Sequence, residues 1–259
     1  LASMWTDAVA APALRTALAW ATHFELRTLR LYGMPEAEIA ETLREAAQRG
    51  VALDALEVTT CLRRGEVEVV TRFEPAAAPA YAALEALVRE RHADTLFSDD
   101  GSTVDAQVAA LLTAQGATIA TAESCTGGLL AARLTERPGS STFALGGVVA
   151  YANDVKTQLA GVPAELIARH GAVSTQVGEA LAVGARERFG ADVGVGVTGI
   201  AGPDGGTLDK PVGTVCFGVA HRDGRRLVRS TWLAGGRTEV RDRATTEALH
   251  LVRSLLTGA

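Results

Sequence analysis

The sequence predicts an α/β protein: a sheet covered by helices on both faces, with a mixed edge, preceded by a small α+β domain. Three observations carry this. Beyond residue 99, short apolar runs alternate with helical patterns, which argues for strands of one sheet joined by helices. Before it, the order strand, helix, strand, strand, helix describes a compact α+β unit. Between the two, Asp99, Asp100, Gly101 and Ser102 are polar and turn-forming, so they mark a boundary. A chain of 259 residues is long enough for two units, each with its own core. The expected division is a linker helix over 1–24, a small α+β domain over 25–98 and an α/β domain over 99–259.

Residues 4–24 read as one helix, with Trp5, Val9, Leu14, Leu18 and Trp20 near helical spacing and Pro12 interrupting. Glu25 to Tyr32 alternates as a strand. Pro35 opens a helix that closes near Gly50, the expected placement of these two residues. Residues 55–62 and 66–73 form two strands joined at Arg63, Arg64 and Gly65, a hairpin signal. Pro75 and Pro79 precede a helix reaching about His92, and the domain ends near Phe97.

In the second unit, Thr103 to Gln115 is a helix with Val104, Val108, Leu111 and Leu112 on one face, capped by Gly116. Ala117 to Ala122 is a strand that runs into a polar turn and a helix from about Gly128 to Glu136. Phe143 to Tyr151 is the next strand, followed by helices near 153–160, 163–170 and 175–189. Asp192 to Thr198, Pro211 to Ala220 and Arg226 to Leu233 read as strands, and the last helix covers about 237–256.

Composition bounds the function. With 47% hydrophobic and 21% charged residues the chain is globular rather than disordered. No stretch approaches the roughly 18 apolar residues that span a bilayer, and no signal-peptide pattern opens the chain, so no membrane partner and a cytoplasmic location are expected. The chain begins at Leu1, so it is expected to be part of something longer. Cys61, Cys125 and Cys216 are odd in number and widely spaced, which suits reduced thiols better than a disulfide framework or a zinc site. Net charge is −5, and residues 1–98 hold 10 Lys plus Arg against 14 Asp plus Glu, a balance of −4. The small domain has a KH-like element order, but this charge and the lack of a G-x-x-G loop among Gly33, Gly50 and Gly65 argue against nucleic acid as partner. A spacer or dimerisation role is the better expectation. Gly194, Gly196 and Gly199 fit G-x-G-x-x-G but lie within a strand, where a dinucleotide fingerprint must open a helix. The histidines His23, His92, His170, His221 and His250 lack metal-ligand spacing.

Four segments could carry chemistry. Thr121-Ala-Glu-Ser-Cys-Thr-Gly-Gly128 sits at a strand-to-helix junction, where free backbone N–H groups can bind negative charge. Ser124 there lies beside oxyanion donors but needs a base, and a serine at such a position, taken alone, is more often an N-cap. Lys156 is the candidate base; it must be neutral, through burial or neighbouring charge, and otherwise is a solvated helix lysine. Thr198-Gly-Ile-Ala-Gly-Pro-Asp-Gly-Gly206 allows backbone to approach a ligand, or is a tight turn. Arg237 and Arg241 are like charges four apart at the start of the last helix, a costly pairing that a bound phosphate would relieve.

Three of these segments, Thr121-Ala-Glu-Ser-Cys-Thr-Gly-Gly128, Tyr151-x-Asn-x-x-Lys156 and Thr198-Gly-Ile-Ala-Gly-Pro-x-Gly-Gly206, closely resemble the CinA C-terminal family in order and spacing, over about residues 100–257. Residues 1–98, with Arg27-Thr-Leu-Arg-x-Tyr-Gly33, resemble the linker region of full-length CinA proteins. These residues include no match to the amino-terminal molybdopterin-binding-like domain of such proteins, so the ADP-ribose pyrophosphatase activity associated with it in some members is not expected of them. The resemblance implies a three-layer domain with helices around a mixed sheet. It also implies nicotinamide-nucleotide amidase activity, converting nicotinamide mononucleotide (NMN) to nicotinic acid mononucleotide and ammonia. Ser124 would be the nucleophile and Lys156 the base, with Tyr151 assisting proton transfer or orienting Lys156. Glu123, Thr126, Gly127, Gly128, Asn153, Thr198 and Gly199 would bind substrate, and Arg237 or Arg241 would meet the phosphate. Cys125 is expected to point into the core. No metal or organic cofactor is implied, and a homodimer is expected by analogy. The rival expectations are a non-catalytic scaffold or nucleotide sensor linked to competence and DNA damage, and an amidase for another small carboxamide.

Overall fold

A computed structural model describes residues 2–18 and 22–258, which divide into two compact units, Leu1–Gly101 and Ser102–Ala259. In the first unit, Pro12 splits the expected single helix into α1 (Ala2–Ala10) and α2 (Pro12–Leu18), because proline lacks the N–H that would continue the ladder. Trp5 and Val9 are exposed, and Trp20 lies outside the described residues.

The small domain follows as β1 (Glu25–Tyr32), α3 (Ala37–Gln48), β2 (Leu56–Arg63), β3 (Glu66–Phe73), α4 (Ala78–Arg91) and β4 (Leu96–Ser98). The hairpin turn holds Arg64 at φ 55° and Gly65 at φ 89°, the left-handed pair that matches strand twist. The expected α+β unit is present, but β4 escapes the sequence reading because three residues are too few to show a period. Its addition turns the KH-like order into β-α-β-β-α-β, with an antiparallel sheet in the order β2-β3-β1-β4, a split β-α-β arrangement. The domain accordingly ends at Gly101, whose carbonyl accepts from Arg30 Nε at 2.8 Å, rather than at residue 98. Leu29, Leu31, Val67, Val69, Ile39, Leu84 and Val88 form its core.

The second unit runs α5 (Val104–Gln115), β5 (Ile119–Glu123), α6 (Leu129–Thr135), β6 (Ala144–Val149), α7 (Asn153–Ala160), α8 (Ala164–His170) and α9 (Thr175–Phe189). It continues with β7 (Val193–Gly199), β8 (Thr214–His221), β9 (Arg226–Trp232) and α10 (Arg237–Thr257). Thr103 caps α5, accepting from the Ala106 amide at 3.2 Å, and Gly116 ends it in the left-handed conformation, both as anticipated. Leu111 is only partly buried, so the inner stripe of α5 is Val104, Val108 and Leu112.

The sheet order is β6-β5-β7-β8-β9, with β5 parallel to β6 and β7 and the remaining pairs antiparallel. Helix α9 lies on one face, and α5, α6 and α10 gather on the other, giving three layers. The glycines of β7 serve this packing. A side chain at Gly194 or Gly196 would overlap backbone of α9, at the Ala182 and Gly178 carbonyls respectively, so α9 sits directly on the sheet. This is the physical content of the G-x-G pattern. From β5 the chain moves outward to β6, then returns past β5 to β7. The carboxyl ends of β5, β6 and β7 therefore border a switch in strand order, where open α/β sheets bind ligands.

Candidate active site

At those strand ends Ser124, Cys125, Tyr151, Asn153, Lys156, Ala172, Val173, Thr198, Gly199 and the loop from Ile200 to Gly205 line one cavity with Arg237, of about 280 Å³. A larger cleft of about 490 Å³ lies in the small domain, but its lining holds no serine, cysteine, histidine or lysine. Its one cation, Arg72, is paired with Glu57 at 2.7 Å.

Ser124 directly follows β5 and its amide donates to the Val197 carbonyl at 2.8 Å, which ties the turn to β7. Gly127 (φ 59°) and Gly128 (φ 96°) turn the chain into α6 through left-handed conformations that L side chains rarely adopt. Glu123, expected to bind substrate, is instead buried beneath this turn. Its carboxylate accepts from the amides of Gly128 (2.9 Å), Leu130 (3.1 Å) and Ala131 (2.8 Å). The helix start therefore already holds an anion, which corrects the expectation that its N–H groups are free. Thr126, Gly127 and Gly128 shape the turn and lie outside the cavity lining.

Arg241 is likewise engaged in structure. Its guanidinium donates to the carbonyls of Cys125 (3.0 Å) and Thr126 (2.9 Å), so it braces the turn and is not offered to the cavity. Arg237 does line the cavity, donating to the Gly202 carbonyl at 2.7 Å and the Tyr151 hydroxyl at 3.0 Å. The guanidinium groups of both arginines are met by backbone carbonyls, while Glu239 accepts from the Gly236 amide at 2.6 Å.

Lys156, on α7, is 2% exposed. Its Nζ donates to the backbone carbonyl of Tyr151 at 2.8 Å. Burial pushes its pKa below the ordinary lysine value, a pull that the nearby Cys125 only partly opposes. Tyr151 thus meets Lys156 through its main chain, while its phenol, on a side chain 59% exposed, meets Arg237. Cys125 is buried as expected but borders the cavity rather than turning from it. Burial pushes its thiol up to about 12, leaving it protonated and unreactive near neutral pH.

Thr198 lines the cavity, and its hydroxyl donates to the Ala172 carbonyl at 2.8 Å, fixing the opposite wall. Sequence reasoning missed Lys210, whose Nζ donates to the carbonyls of His170 (3.0 Å) and Val173 (2.6 Å). These partners lie about 40 residues away in sequence, and no local pattern marks them. It also passed over Asp204 within the glycine-rich motif. Among the described residues no group of three or more His, Cys, Asp or Glu gathers to hold a metal, and no helix is long and apolar enough to cross a membrane.

Comparison with known proteins places these features in context. Residues 101–256 match the family model described as the CinA C-terminal domain. A "CinA-like protein" of Mycolicibacterium vanbaalenii is 58% identical across the whole chain, which spans 61% of that relative's length. One of Mycobacterium tuberculosis is 52% identical, with 60% of its length spanned. Among solved structures, a competence/damage inducible protein from Agrobacterium tumefaciens is 41% identical with a TM-score of 0.57, covering 59% of this chain and 93% of its own. A CinA superfamily protein from Escherichia coli is 33% identical with a TM-score of 0.56, covering 62% of this chain and 94% of its own.

Proposed function

The chain belongs to the CinA family, and from that membership we propose that it is a serine amidase that hydrolyses the carboxamide of NMN to nicotinic acid mononucleotide and ammonia. The observation that carries this reading is Lys156. It is a buried lysine with lowered pKa, its ammonium donating to the Tyr151 carbonyl, in one cavity with Ser124. Burying a lysine is costly, and burial that lowers its pKa moves it toward the neutral form that a general base needs.

In this mechanism Lys156 Nζ accepts the Ser124 hydroxyl proton as Oγ attacks the carboxamide carbon. The tetrahedral oxyanion is held by the amide of Cys125, which follows Ser124 and lines the cavity with it. Lys156 returns the proton to the leaving nitrogen, ammonia departs, and an acyl ester remains on Ser124. Water, deprotonated by Lys156, then hydrolyses the ester. Tyr151 orients Lys156 through its carbonyl, and Arg237 meets the phosphate. Asn153, Thr198 and Gly199 line the space for the ring. A cavity of about 280 Å³ lies near the lower end of ligand clefts, in keeping with a mononucleotide.

The test is ammonia release from NMN by the purified protein, with Ser124→Ala alongside. Turnover lost in the variant supports the reading. Saturable NMN binding without turnover by the parent would overturn it in favour of a nucleotide sensor.

A further inference from the structure

Asp204 is the one acidic side chain among the residues lining the cavity. The loop that carries it is held at several points. The Ile200 amide donates to the Thr214 carbonyl and the Gly213 amide to the Ile200 carbonyl, each at 2.8 Å. Arg237 donates to the Gly202 carbonyl at 2.7 Å, and Lys210 fastens the loop to the carbonyls of His170 and Val173. These anchors bracket an exposed stretch, 203–209, which carries Asp204 at the rim of the cavity. Among the described residues none donates a hydrogen bond or an ion pair to its carboxylate, although Arg237 binds the carbonyl two residues before it.

We propose that Asp204 is a specificity-determining residue whose carboxylate accepts the two ribose hydroxyls of the substrate, so that the site selects a ribosylated pyridine carboxamide over the free amide. This rests on the amidase reading above. In such a substrate the carboxamide, ring, ribose and phosphate follow in order. Ser124 (8% exposed) and Lys156 (2% exposed) mark the deep end, and exposed Arg237 marks the outer end. Asp204 is exposed like Arg237, and its charge would repel the phosphate, which is left to the arginine. One group inward lies the ribose, whose neighbouring cis hydroxyls are two donors suited to the two oxygens of a carboxylate. Free nicotinamide has neither the diol nor the phosphate and forfeits both outer contacts.

The experiment compares kcat/KM for NMN and its 2′,3′-dideoxyribose analogue, by ammonia release, in the parent, Asp204→Ala and Asp204→Asn. The parent is expected to prefer NMN by about tenfold to a hundredfold, the range of a charge-assisted hydrogen-bond pair. Asp204→Ala is expected to lose that preference through KM, with kcat falling far less, and Asp204→Asn, which keeps one acceptor oxygen, to retain part of it. An unchanged preference in Asp204→Ala overturns the assignment. So does an equal loss on both substrates, which would place the carboxylate against the ring cation. Absence of ammonia release by the parent overturns the amidase reading and this assignment with it, whereas turnover with unaltered discrimination overturns this assignment alone.

Discussion

Replacing Lys156 by methionine separates the catalytic demand on this residue from its cost to the fold. Methionine has nearly the same length and volume, so packing is retained, and what changes is the nitrogen. One hydrogen bond to the Tyr151 carbonyl is lost, worth about 1 kcal/mol. Against this, the desolvation of the amine disappears. Its pKa is lowered in the folded state, so the unfolded chain binds more protons, and each unit of lowering costs the parent about 1.4 kcal/mol below the folded pKa. The penalty is complete below the folded pKa, shrinks as pH rises, and vanishes above the ordinary lysine value of 10.5. Lys156→Met should therefore be as stable as the parent or more so at neutral pH, and its relative advantage should decline as pH rises. Urea unfolding of both proteins at intervals between about pH 7 and 10 reads this directly through the midpoint, with the slope m as a check on the unfolded state. Turnover should fall by a factor of about 10² to 10⁴, the usual contribution of a general base. A stability difference that does not vary with pH would refute the claim that Lys156 is held as a displaced titrating group.

The parent's kcat/KM should rise with pH on a limb whose midpoint lies below the ordinary lysine value, following deprotonation of Lys156, and a flat profile would count against it as base. Ser124→Ala should abolish ammonia release while Cys125→Ala keeps most of it. Alkylation by iodoacetamide at pH 8 should label exposed Cys61 and spare Cys125, a pattern peptide mapping can read. Tyr151→Phe and Arg237→Ala should raise KM for NMN more than they lower kcat, and their effects should be less than additive because the two side chains are bonded to one another. Glu123→Ala strips three amides of α6 of their acceptor and should cost about 3 kcal/mol or more, a fall in Tm of roughly 6–12 °C by calorimetry.

Most of the fold was legible from local patterns. Thr103 and Gly116 bracket α5, Arg64-Gly65 closes a hairpin, and the apolar runs at 119–123 and 193–199 are central strands, each because the determinant lies within a few residues of its effect. One exception, β4, has three residues and is defined by pairing with β1 rather than by its own composition. Of the site, the motifs located Ser124, Tyr151, Lys156, Thr198 and Arg237 among the residues lining the cavity.

The sequence by itself determined which residues stand at the ends of the strands, since a strand's period and its terminating glycines are written in consecutive positions. Only the tertiary structure decided what those residues touch. Glu123 and Arg241 belong to the same motifs as Ser124 and Arg237, yet one caps α6 from below and the other crosses 116 positions to brace the Cys125 carbonyl. Whether a charged side chain faces a ligand or satisfies buried backbone depends on which helix covers which strand end. That is fixed by the order β6-β5-β7 and by the packing of α10 beside α5 and α6, long-range choices that no window of the chain contains.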